Sequence, residues 1–319
     1  MGLKIAIQMD PPETINIDTD STFVLALEAQ KRGYELFYYH VKDLSFDSGA
    51  VKALAAPLTF RREREHHYIL GERRMLDLAQ DVDVVLMRQD PPFNMAYITA
   101  THILEHAADK TLIVNDPVSV RNAPEKLLVT YYQDLTPPTL ITSSRAKIEE
   151  FRARHGDIIL KPLYGNGGLQ VFHLGPENPN LGSLLEMFGA LYKEPIIVQK
   201  YLPEAKTGDK RIILCDGEPI GAILRRPPER ETRANLHTGG TALKTELTQR
   251  ELEICARIGP ELSRLGLLFV GIDVIGDYLT EINVTSPTCL QEINRLNEDC
   301  LEAKIWDAIE KKLGKRHAA

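Results

Sequence analysis

Two short stretches of the chain combine the residue types that hold a nucleotide phosphate and a divalent metal ion. The first, residues 157–168, reads DIILKPLYGNGG, an apolar strand that ends in Lys161 and opens into a glycine-rich turn. Glycines let the backbone approach phosphate oxygens closely and point N–H donors at them. Lys161 adds a positive charge where the strand ends. The same pattern also fits a β-hairpin turn with an incidental lysine.

The second stretch, residues 271–287, reads GIDVIGDYLTEINVTSP and predicts two apolar strands joined by a tight turn. Glu281 and Asn283 are two residues apart, so their side chains project to one face of the second strand. Carboxylates among isoleucines and valines are costly to bury unless a cation neutralises them, and Mg²⁺ prefers oxygen ligands. A solvent-facing hairpin with polar residues on one side is the alternative.

Strand parity adds a condition to this hairpin. A two-residue turn at Gly276-Asp277 would set Ile272 opposite Glu281 and would point Asp273 and Glu281 to opposite faces. A three-residue connection, or a bulge of one residue, would instead pair Asp273 with Glu281. We therefore predict the longer turn or a bulge, because only then do both carboxylates and Asn283 share one face.

Neither of the two common phosphate-binding fingerprints accompanies these stretches. The glycine-rich turn is not followed by the Gly-Lys-Ser or Gly-Lys-Thr sequence of a P-loop. The first predicted strand lacks the GxGxxG turn of a dinucleotide-binding site. A different nucleotide-binding fold is therefore predicted.

Strand-like and helix-like patterns alternate over the first third of the chain. The predicted elements, strand, helix, strand, strand, helix and strand, are Leu3–Met9, Ser21–Arg32, Tyr34–Tyr39, Val82–Met87, Ile98–Ala107 and Thr111–Asn115. This rhythm predicts an N-terminal Rossmann-like βαβ domain over residues 1–121. Asn122, with Pro124 and Glu125 after it, is predicted to cap the next helix.

The rest of the chain predicts two α+β units, one over residues 122–202 and one over residues 203–319. The first contains strands at 139–142, 158–162 and 196–199 and a helix at 145–155. The second contains strands at 211–215 and 219–224, helices at 249–265 and 301–313, and the hairpin described above. The polar segment 227–240 is too long for an ordinary connection, so we predict a mobile lid with Arg233 facing the substrate.

Bulk composition limits the classes of function. The formal net charge of the 319 residues is −7, and Lys and Arg are spread along the chain rather than concentrated as in nucleic-acid binders. No apolar run approaches a membrane span, and the N-terminus lacks a signal-peptide pattern. The four cysteines include no CxxC pair. These features predict a soluble, cytoplasmic protein whose partners are small molecules, not nucleic acid or membrane.

Other reactive residue types give weaker signals. Cys289 follows Ser-Pro-Thr and has no paired histidine, so a packed or substrate-adjacent thiol is predicted rather than a nucleophile. His66 and His67 lack metal-ligand spacing. With the charged run 61–67 they predict an exposed helix or loop, or a subunit contact.

Together the two stretches resemble the ATP-grasp superfamily, in which lysines, a glycine-rich loop and an Asp…Glu-x-Asn metal set surround ATP. Further segments look like bacterial glutathione synthetases, a family within it. These segments are QMDP at 8–11, INI at 15–17, MRQDPPF at 87–93, GDKR at 208–211, ETRAN at 231–235 and EINVTSPTC at 281–289. The resemblance runs from about residue 3 to about residue 312. It implies an α/β and α+β chain with an ATP-grasp fold behind the N-terminal domain.

The resemblance implies four groups of site residues. Those for ATP are Lys126, Lys161, Gly165, Asn166, Gly167, Gly168, Gln199, Tyr201, Leu202 and Asp209. Those for catalysis are Arg211, Arg226 and Arg233, and those for the peptide substrate are Asn16, Ser21, Arg88 and Ser286. Those for Mg²⁺ or Mn²⁺ are Asp273, Glu281 and Asn283. Tyr164 and Asn166 stand where the family commonly has Asp and Met.

The activity that the family implies is ATP-dependent ligation of γ-glutamylcysteine and glycine to glutathione through an acyl phosphate, with release of ADP and phosphate. The residue types agree, because phosphoryl transfer requires mainly positioning and charge neutralisation. The family also implies a homotetramer. The alternatives are another ATP-grasp carboxylate–amine ligase, acting on dipeptides or a protein tail, and a non-catalytic ATP-binding protein.

Overall fold

Three β-sheets, arranged in order along the chain, form the framework of the protein. The structure is a computed structural model that describes residues 2–229, 233–236 and 239–318. Residues 230–232 and 237–238 of the predicted lid therefore lie outside the described residues. No helix in the described ranges is long and apolar enough to cross a bilayer.

The first sheet has eight strands and carries the predicted βαβ rhythm. Its strands are β1 (Lys4–Gln8), β2 (Glu35–Tyr39), β3 (Leu44–Asp47), β4 (Ala50–Phe60), β5 (Tyr68–Leu70), β6 (Arg74–Asp77), β7 (Val84–Met87) and β8 (Leu112–Val114). The order is β3-β4-β2-β1-β7-β8, with β5 and β6 also paired to β4. Strands β2, β1, β7 and β8 are parallel, as predicted for a Rossmann-like unit. Its helices are α1 (Ser21–Lys31), α2 (Met95–Glu105) and α3 (Pro117–Asn122).

The second sheet is antiparallel and has the order β11-β10-β12-β9. Its region contains α4 (Glu125–Leu128), β9 (Thr139–Thr142), α5 (Arg145–His155), β10 (Ile158–Pro162), β11 (Phe172–Leu174), α6 (Leu181–Leu191) and β12 (Ile196–Lys200). The strands and the helix predicted for this region are confirmed, whereas β11 and α6 are additional.

The third sheet is also antiparallel, in the order β15-β14-β13-β16-β17. Its region contains β13 (Asp209–Cys215), β14 (Glu218–Arg226), β15 (Thr241–Lys244), α7 (Gln249–Arg264), β16 (Phe269–Ile275), β17 (Tyr278–Asn283), α8 (Leu290–Asn297) and α9 (Leu301–Ala318). Short 3-10 turns lie at Pro12–Thr14, Val41–Asp43, Val129–Tyr131 and Pro203–Lys206.

The first and third sheets share their hydrophobic cores, while the second sheet has its own. One shared core joins Phe37 of β2 to Ile272 of β16, and another joins Phe23 of α1 to Trp306 of α9. The third core contains only residues between 148 and 198. The first and last predicted units thus share their cores, and residues 123–135 of the predicted middle unit also pack into one of them.

Asn115 fixes the first sheet to the strands that carry the predicted metal ligands. Asn115 directly follows β8. Its side-chain amide nitrogen donates to the carbonyl oxygens of Phe269 and Val284 at 2.7 and 2.9 Å, and its amide oxygen accepts from the Phe269 N–H at 2.8 Å. Since Phe269 begins β16 and Val284 follows β17, one buried side chain sets the position of the whole hairpin.

The predicted helix start at Asn122 is wrong. Asn122 is the last residue of α3, whose N-terminus is capped by the Asp116 side chain with Pro117 in the first turn. The next helix begins at Glu125 without a side-chain cap, and the Glu125 carboxylate instead accepts a hydrogen bond from the Thr285 hydroxyl at 2.8 Å. A capping signature thus occurs both at Asp116-Pro117 and at Asn122, and only the first one caps a helix.

We expect Trp306→Ala to lower the free energy of unfolding by about 3–5 kcal/mol, the usual cost of truncating a large buried side chain. Trp306 is fully buried, lies edge-on to Tyr34 and donates to the Leu25 carbonyl at 2.8 Å. Urea unfolding followed by far-UV circular dichroism measures the change. Tyr131→Ala, at a residue that is 80% exposed, is the control and should shift stability by less than about 0.5 kcal/mol. Equal shifts would contradict the assignment of Trp306 to the shared core.

Candidate active site

A cavity of about 860 Å³ is lined by residues from all three sheet regions. Every predicted site residue except Arg226 lines it. These residues are Asn16, Ser21, Arg88, Lys126, Lys161, Gly165, Asn166, Gly167, Gly168, Gln199, Tyr201, Leu202, Asp209, Arg211, Arg233, Asp273, Glu281, Asn283 and Ser286. Segments more than 270 residues apart in sequence thus meet around one space.

The β16–β17 hairpin has the predicted bulge. The turn itself is short, with Ile275 opposite Tyr278, but the register shifts between Asp273 and Val274. Asp273 therefore pairs with Glu281, and Gly271 pairs with Asn283. The three predicted metal ligands consequently share one face of the sheet, as strand parity required.

Two arginines neutralise Asp273. Arg211 forms a bidentate pair with it, at 2.5 Å from Nε to Oδ1 and 2.8 Å from Nη2 to Oδ2. Arg225 Nη2 lies 3.0 Å from Asp273 Oδ2 and also pairs with Asp209. Burial would raise the pKa of Asp273, but the two guanidinium groups outweigh it and hold that pKa well below its usual range. Gly271 makes room for this arrangement, because a Cβ there would lie 3.2 Å from Arg211 Cδ.

Two lysines neutralise Glu281, which lies on the same face of the hairpin as Asp273. Lys161 Nζ lies 3.2 Å and Lys126 Nζ 3.7 Å from Glu281 Oε1. Burial lowers the pKa of Lys161, while the two ammonium groups overcome burial and lower the pKa of Glu281. Lys161 is therefore buried and paired with Glu281 where β10 ends.

The donor set on this face fits a hard divalent cation. Asp273, Glu281 and Asn283 offer two carboxylates and one amide oxygen, the ligand types that Mg²⁺ prefers. Asn283 Nδ2 lies 3.4 Å from Asp273 Oδ2, so the amide already points toward the carboxylate. Among the described residues no group of three or more His, Cys, Asp or Glu is placed to hold an ion. Three protein oxygens leave part of an octahedral shell open, which phosphate oxygens or water would complete.

The glycine-rich loop lies against both a lysine and the predicted lid. Lys126 Nζ donates to the Gly165 carbonyl, and Arg233 Nη1 donates to the Gly168 carbonyl at 3.2 Å. Gly168 has φ of +75°, and a Cβ there would lie 2.5 Å from Asn235 Oδ1. A side chain at Gly168 would therefore be strained and would displace Asn235. Tyr164, one of the two residues expected to depart from the family pattern, stacks on Phe93 at 6.1 Å between ring centroids.

Gln199, Tyr201 and Leu202, which are predicted to contact ATP, lie at the end of β12 or directly after it. Gln199 is buried and donates to the Thr139 hydroxyl at 3.0 Å, which fixes its amide against β9. Tyr201 stacks on His173 at 4.0 Å between ring centroids. With Leu202, these two residues line the cavity.

Arg88 is the charged residue of the predicted peptide end. It is only 6% exposed, and it donates to the Thr22 hydroxyl and the Pro287 carbonyl, both at 2.9 Å. Its Nη1 is buried and has no hydrogen-bond partner within the described ranges. Ser286 donates to the Arg88 carbonyl at 3.1 Å, and Ser21 accepts from the Leu290 N–H at 3.3 Å. Arg88 therefore lines the cavity with one guanidinium donor unused among the described residues.

The structure corrects the placement of Arg226. Its side chain is exposed and does not line the cavity, whereas the neighbouring Arg225 is buried within it. Neighbouring residues of a strand project to opposite faces, and β14 pairs Arg225 with Asp209 and Ile223 with Arg211. Arg225 therefore shares the cavity face with Arg211. The register of the β13–β14 hairpin was the signal that could have identified it.

Four cavity-lining carboxylates were also missed: Asp20, Asp90, Glu125 and Glu292. Glu125 lies beside Lys126, and burial raises its pKa. Asp20 caps α1 by accepting from the Phe23 N–H at 2.7 Å, and burial raises its pKa as well. Asp20 follows the segment INI at 15–17, so an N-cap signal before the first helix could have found it.

Family models match almost the whole chain. The N-terminal domain of prokaryotic glutathione synthetase matches residues 3–121, and its ATP-grasp domain matches residues 125–298. The chain belongs to the prokaryotic glutathione synthetase family. A glutathione synthetase from Mesorhizobium japonicum is 56% identical over 312 residues, 98% of this chain and 99% of the relative. One from Salmonella typhimurium is 45% identical over 315 residues, 98% of this chain and 100% of the relative.

Solved structures show that the family fold is shared more widely. D-cycloserine synthetase DcsG aligns with a TM-score of 0.68 at 13% identity, over 97% of this chain and 99% of that one. The ATP-grasp ligase PsnB, solved with a precursor variant, Mg and ADP, aligns with a TM-score of 0.62 at 14% identity over 99% of both chains. These similarities establish the ATP-grasp fold, which supports ligases with different acceptors and so does not select the substrate.

Arg225→Lys should lower kcat by about 10- to 100-fold, because lysine keeps the charge but loses the bidentate geometry at the cavity. Arg226→Lys is the matched control on the same strand and should leave kcat within about twofold, as an exposed arginine contributes little. Steady-state turnover of both variants tests the corrected placement. A larger loss in the Arg226 variant would reverse our assignment.

Lys161→Met should weaken ATP binding by about 10- to 100-fold, since a charge-assisted hydrogen bond contributes about 1.5–3 kcal/mol. Some loss of stability is also expected, because Glu281 would keep only Lys126 as a partner. Isothermal titration with ATP measures the first effect, and a thermal melt measures the second. Lys147→Met, at an exposed position of α5, should change neither. Normal ATP affinity with reduced stability would make Lys161 a structural residue only.

Proposed function

We propose that the chain joins γ-glutamylcysteine to glycine with ATP, releasing ADP and phosphate. The carboxylate of the dipeptide attacks the γ-phosphorus, the bond to the ADP oxygen breaks, and an acyl phosphate forms. The amine of glycine then attacks the acyl carbon, loses a proton, and expels phosphate. The observation that carries this proposal is one cavity lined by the paired lysines and arginines, by the predicted metal ligands and by Arg88, whose Nη1 has no hydrogen-bond partner among the described residues.

The phosphate end has the charges that this reaction requires. Lys126 and Lys161 would bind the phosphates, and Arg211 and Arg225 would face the oxygens of the group in transfer. Asp273, Glu281 and Asn283 would hold Mg²⁺ or Mn²⁺, which supplies further charge neutralisation when bound. The proposal assigns no side chain as a nucleophile. Cys289, which lines the cavity, is a buried thiol whose pKa is raised by burial, so little of it is the reactive thiolate.

The peptide end favours an anionic dipeptide. Arg88 would bind a substrate carboxylate through Nη1, and Asn16, Ser21 and Ser286 would contact the peptide from the two sides of the cavity. Burial lowers the pKa of Arg88, and the nearby charge of Asp20 acts in the opposite direction. Asp20 would suit the α-amino group of the γ-glutamyl residue. A homotetrameric assembly and a cytoplasmic location remain part of the proposal, on the family resemblance.

Phosphate release tests this activity. We expect release with γ-glutamylcysteine, glycine and Mg-ATP together, and little when the dipeptide is omitted. Pairs of D-alanine and a protein-tail glutamate acceptor serve as comparison substrates for the other ATP-grasp ligases. Release that occurs only with D-alanine would contradict the proposal, and ATP binding without release from any pair would favour a non-catalytic protein.

The predicted lid can be tested by limited proteolysis. Arg233 and Asn235 lie against the glycine-rich loop, so we expect ligands that order that loop to protect segment 227–240 as well. Trypsin should cleave the segment in the ligand-free protein and spare it with Mg, an ATP analogue and dipeptide. A second tryptic site in an exposed loop, at Arg64, serves as the internal control. Equal cleavage at 227–240 in both states would contradict a lid.

A further inference from the structure

One helix braces two walls of the peptide end. We call residues 14–21 the N-terminal wall; its cavity-lining members are Thr14, Asn16, Thr19, Asp20 and Ser21. A second wall, residues 285–289, leads directly into α8. The N-terminal wall lies mostly outside regular structure, with only short turns of its own, such as the Asp20 N–H to Asn16 carbonyl bond at 2.9 Å. Its position therefore depends on contacts with other elements.

Gln291 of α8 supplies the central contact. Its side chain is buried, at 4% exposure, and its Nε2 donates to the carbonyls of Ile17 at 3.1 Å and Asp20 at 2.7 Å. Its Oε1 accepts from Nη1 and Nη2 of Arg62, both at 3.2 Å. A side-chain amide has two N–H donors and two acceptor lone pairs, so all of its capacity is used. Gln291 itself does not line the cavity.

Two arginines extend the brace around Gln291. Arg295, four residues later on α8, donates to the Asp18 carbonyl at 2.7 Å. Arg62 also donates to the Ile17 carbonyl at 3.3 Å and lies over the Phe23 ring at 5.4 Å. Three carbonyls of one irregular segment thus accept from side chains outside it. Because Gln291 contributes two of these bonds and is buried, its loss would leave polar groups without partners.

We propose that Gln291 is a positioning residue for the peptide substrate: it holds the N-terminal wall against α8 and so determines the affinity for the γ-glutamyl dipeptide. This inference rests on the proposed function. Gln291 acts through the wall that carries Asn16, Asp20 and Ser21, and its hydrogen bonds within the described part of the chain go to that wall and to Arg62. Its removal should therefore raise KM for the dipeptide while ATP binding stays unchanged.

Gln291→Glu isolates the donor function. The substituted carboxylate keeps acceptors for Arg62 but offers only lone pairs to the carbonyls of Ile17 and Asp20. We expect KM for γ-glutamylcysteine to rise by about 10-fold, from the loss of two hydrogen bonds in a buried setting. The dissociation constant for Mg-ATP should stay within about twofold, and kcat at saturating dipeptide should fall less than KM rises. Amide hydrogen exchange at 17–21 should quicken, with α7 unchanged.

Arg64→Met is the matched control. Arg64 lies in the same loop as Arg62 and contacts the N-terminal wall only through the Asp18 carboxylate, at 2.8 Å, with 81% of its side chain exposed. We expect its KM for the dipeptide to match wild type. Should Gln291→Glu fail to fold, Arg62→Met removes the support of the Gln291 amide from the exposed side and should raise the same KM about two- to fivefold.

The wild-type arm separates failure of this inference from failure of the proposed function. If the wild-type protein shows no dipeptide-dependent phosphate release, the proposed function is wrong, and this inference is wrong with it. If wild type is active, an unchanged dipeptide KM in the Gln291 variant overturns the positioning role only. So does an equal loss of ATP affinity, or an equal rise in KM for Arg64→Met, because each would indicate a general structural effect.

Discussion

The arrangement of the active site depends on the mutual neutralisation of buried charges. Asp273 lies between Arg211 and Arg225, and Glu281 lies between Lys126 and Lys161. The partners come from different strands and helices, so each ion pair also fixes the distance between two elements. Removing one member of such a pair leaves an uncompensated buried charge, typically at a cost of about 3–5 kcal/mol. The site is therefore part of the framework as well as its functional centre.

The same pairing sets how a nucleotide would bind. In the proposed reaction the four cations would turn to phosphate oxygens, and the carboxylates released from them would be free to hold the divalent metal. Each charge exchanges one partner for another, so none has to be buried without compensation. This exchange requires the three oxygen ligands to share a face, which the bulge in β17 provides, and it requires the hairpin to be held in place, which Asn115 provides.

The segments that carry the candidate site residues were predictable from the sequence where the alternation of side chains along a strand is enough to place them. The bulge opposite Asp273 followed from the requirement that two carboxylates meet, and the parallel strands followed from the βαβ rhythm. Arg225 was not predictable in the same way, because its face depends on the β13–β14 register, which itself shifts between Ile213 and Leu214. The contacts of Gln291 were not predictable for a similar reason, because its partners are more than 220 residues away in sequence.

Strand β4 shows why parts of the fold were missed. Its sequence, AVKALAAPLTF, is rich in alanine and contains a proline, so its intrinsic strand preference is weak. Pairing with four other strands, β2, β3, β5 and β6, stabilises it nevertheless. Tertiary pairing overrides propensity here, and a single sequence carries no sign of it.

A crystal structure with Mn²⁺ and a non-hydrolysable ATP analogue tests the central claim most directly, because anomalous scattering locates the manganese without assumption. We predict an anomalous peak in contact with carboxylate oxygens of Asp273 and Glu281 and with phosphate oxygens. We also predict that Lys161 leaves Glu281 for the phosphates and that the bidentate pair of Arg211 with Asp273 opens. A peak held by other residues, or nucleotide bound with all four ion pairs intact, would contradict the exchange of partners.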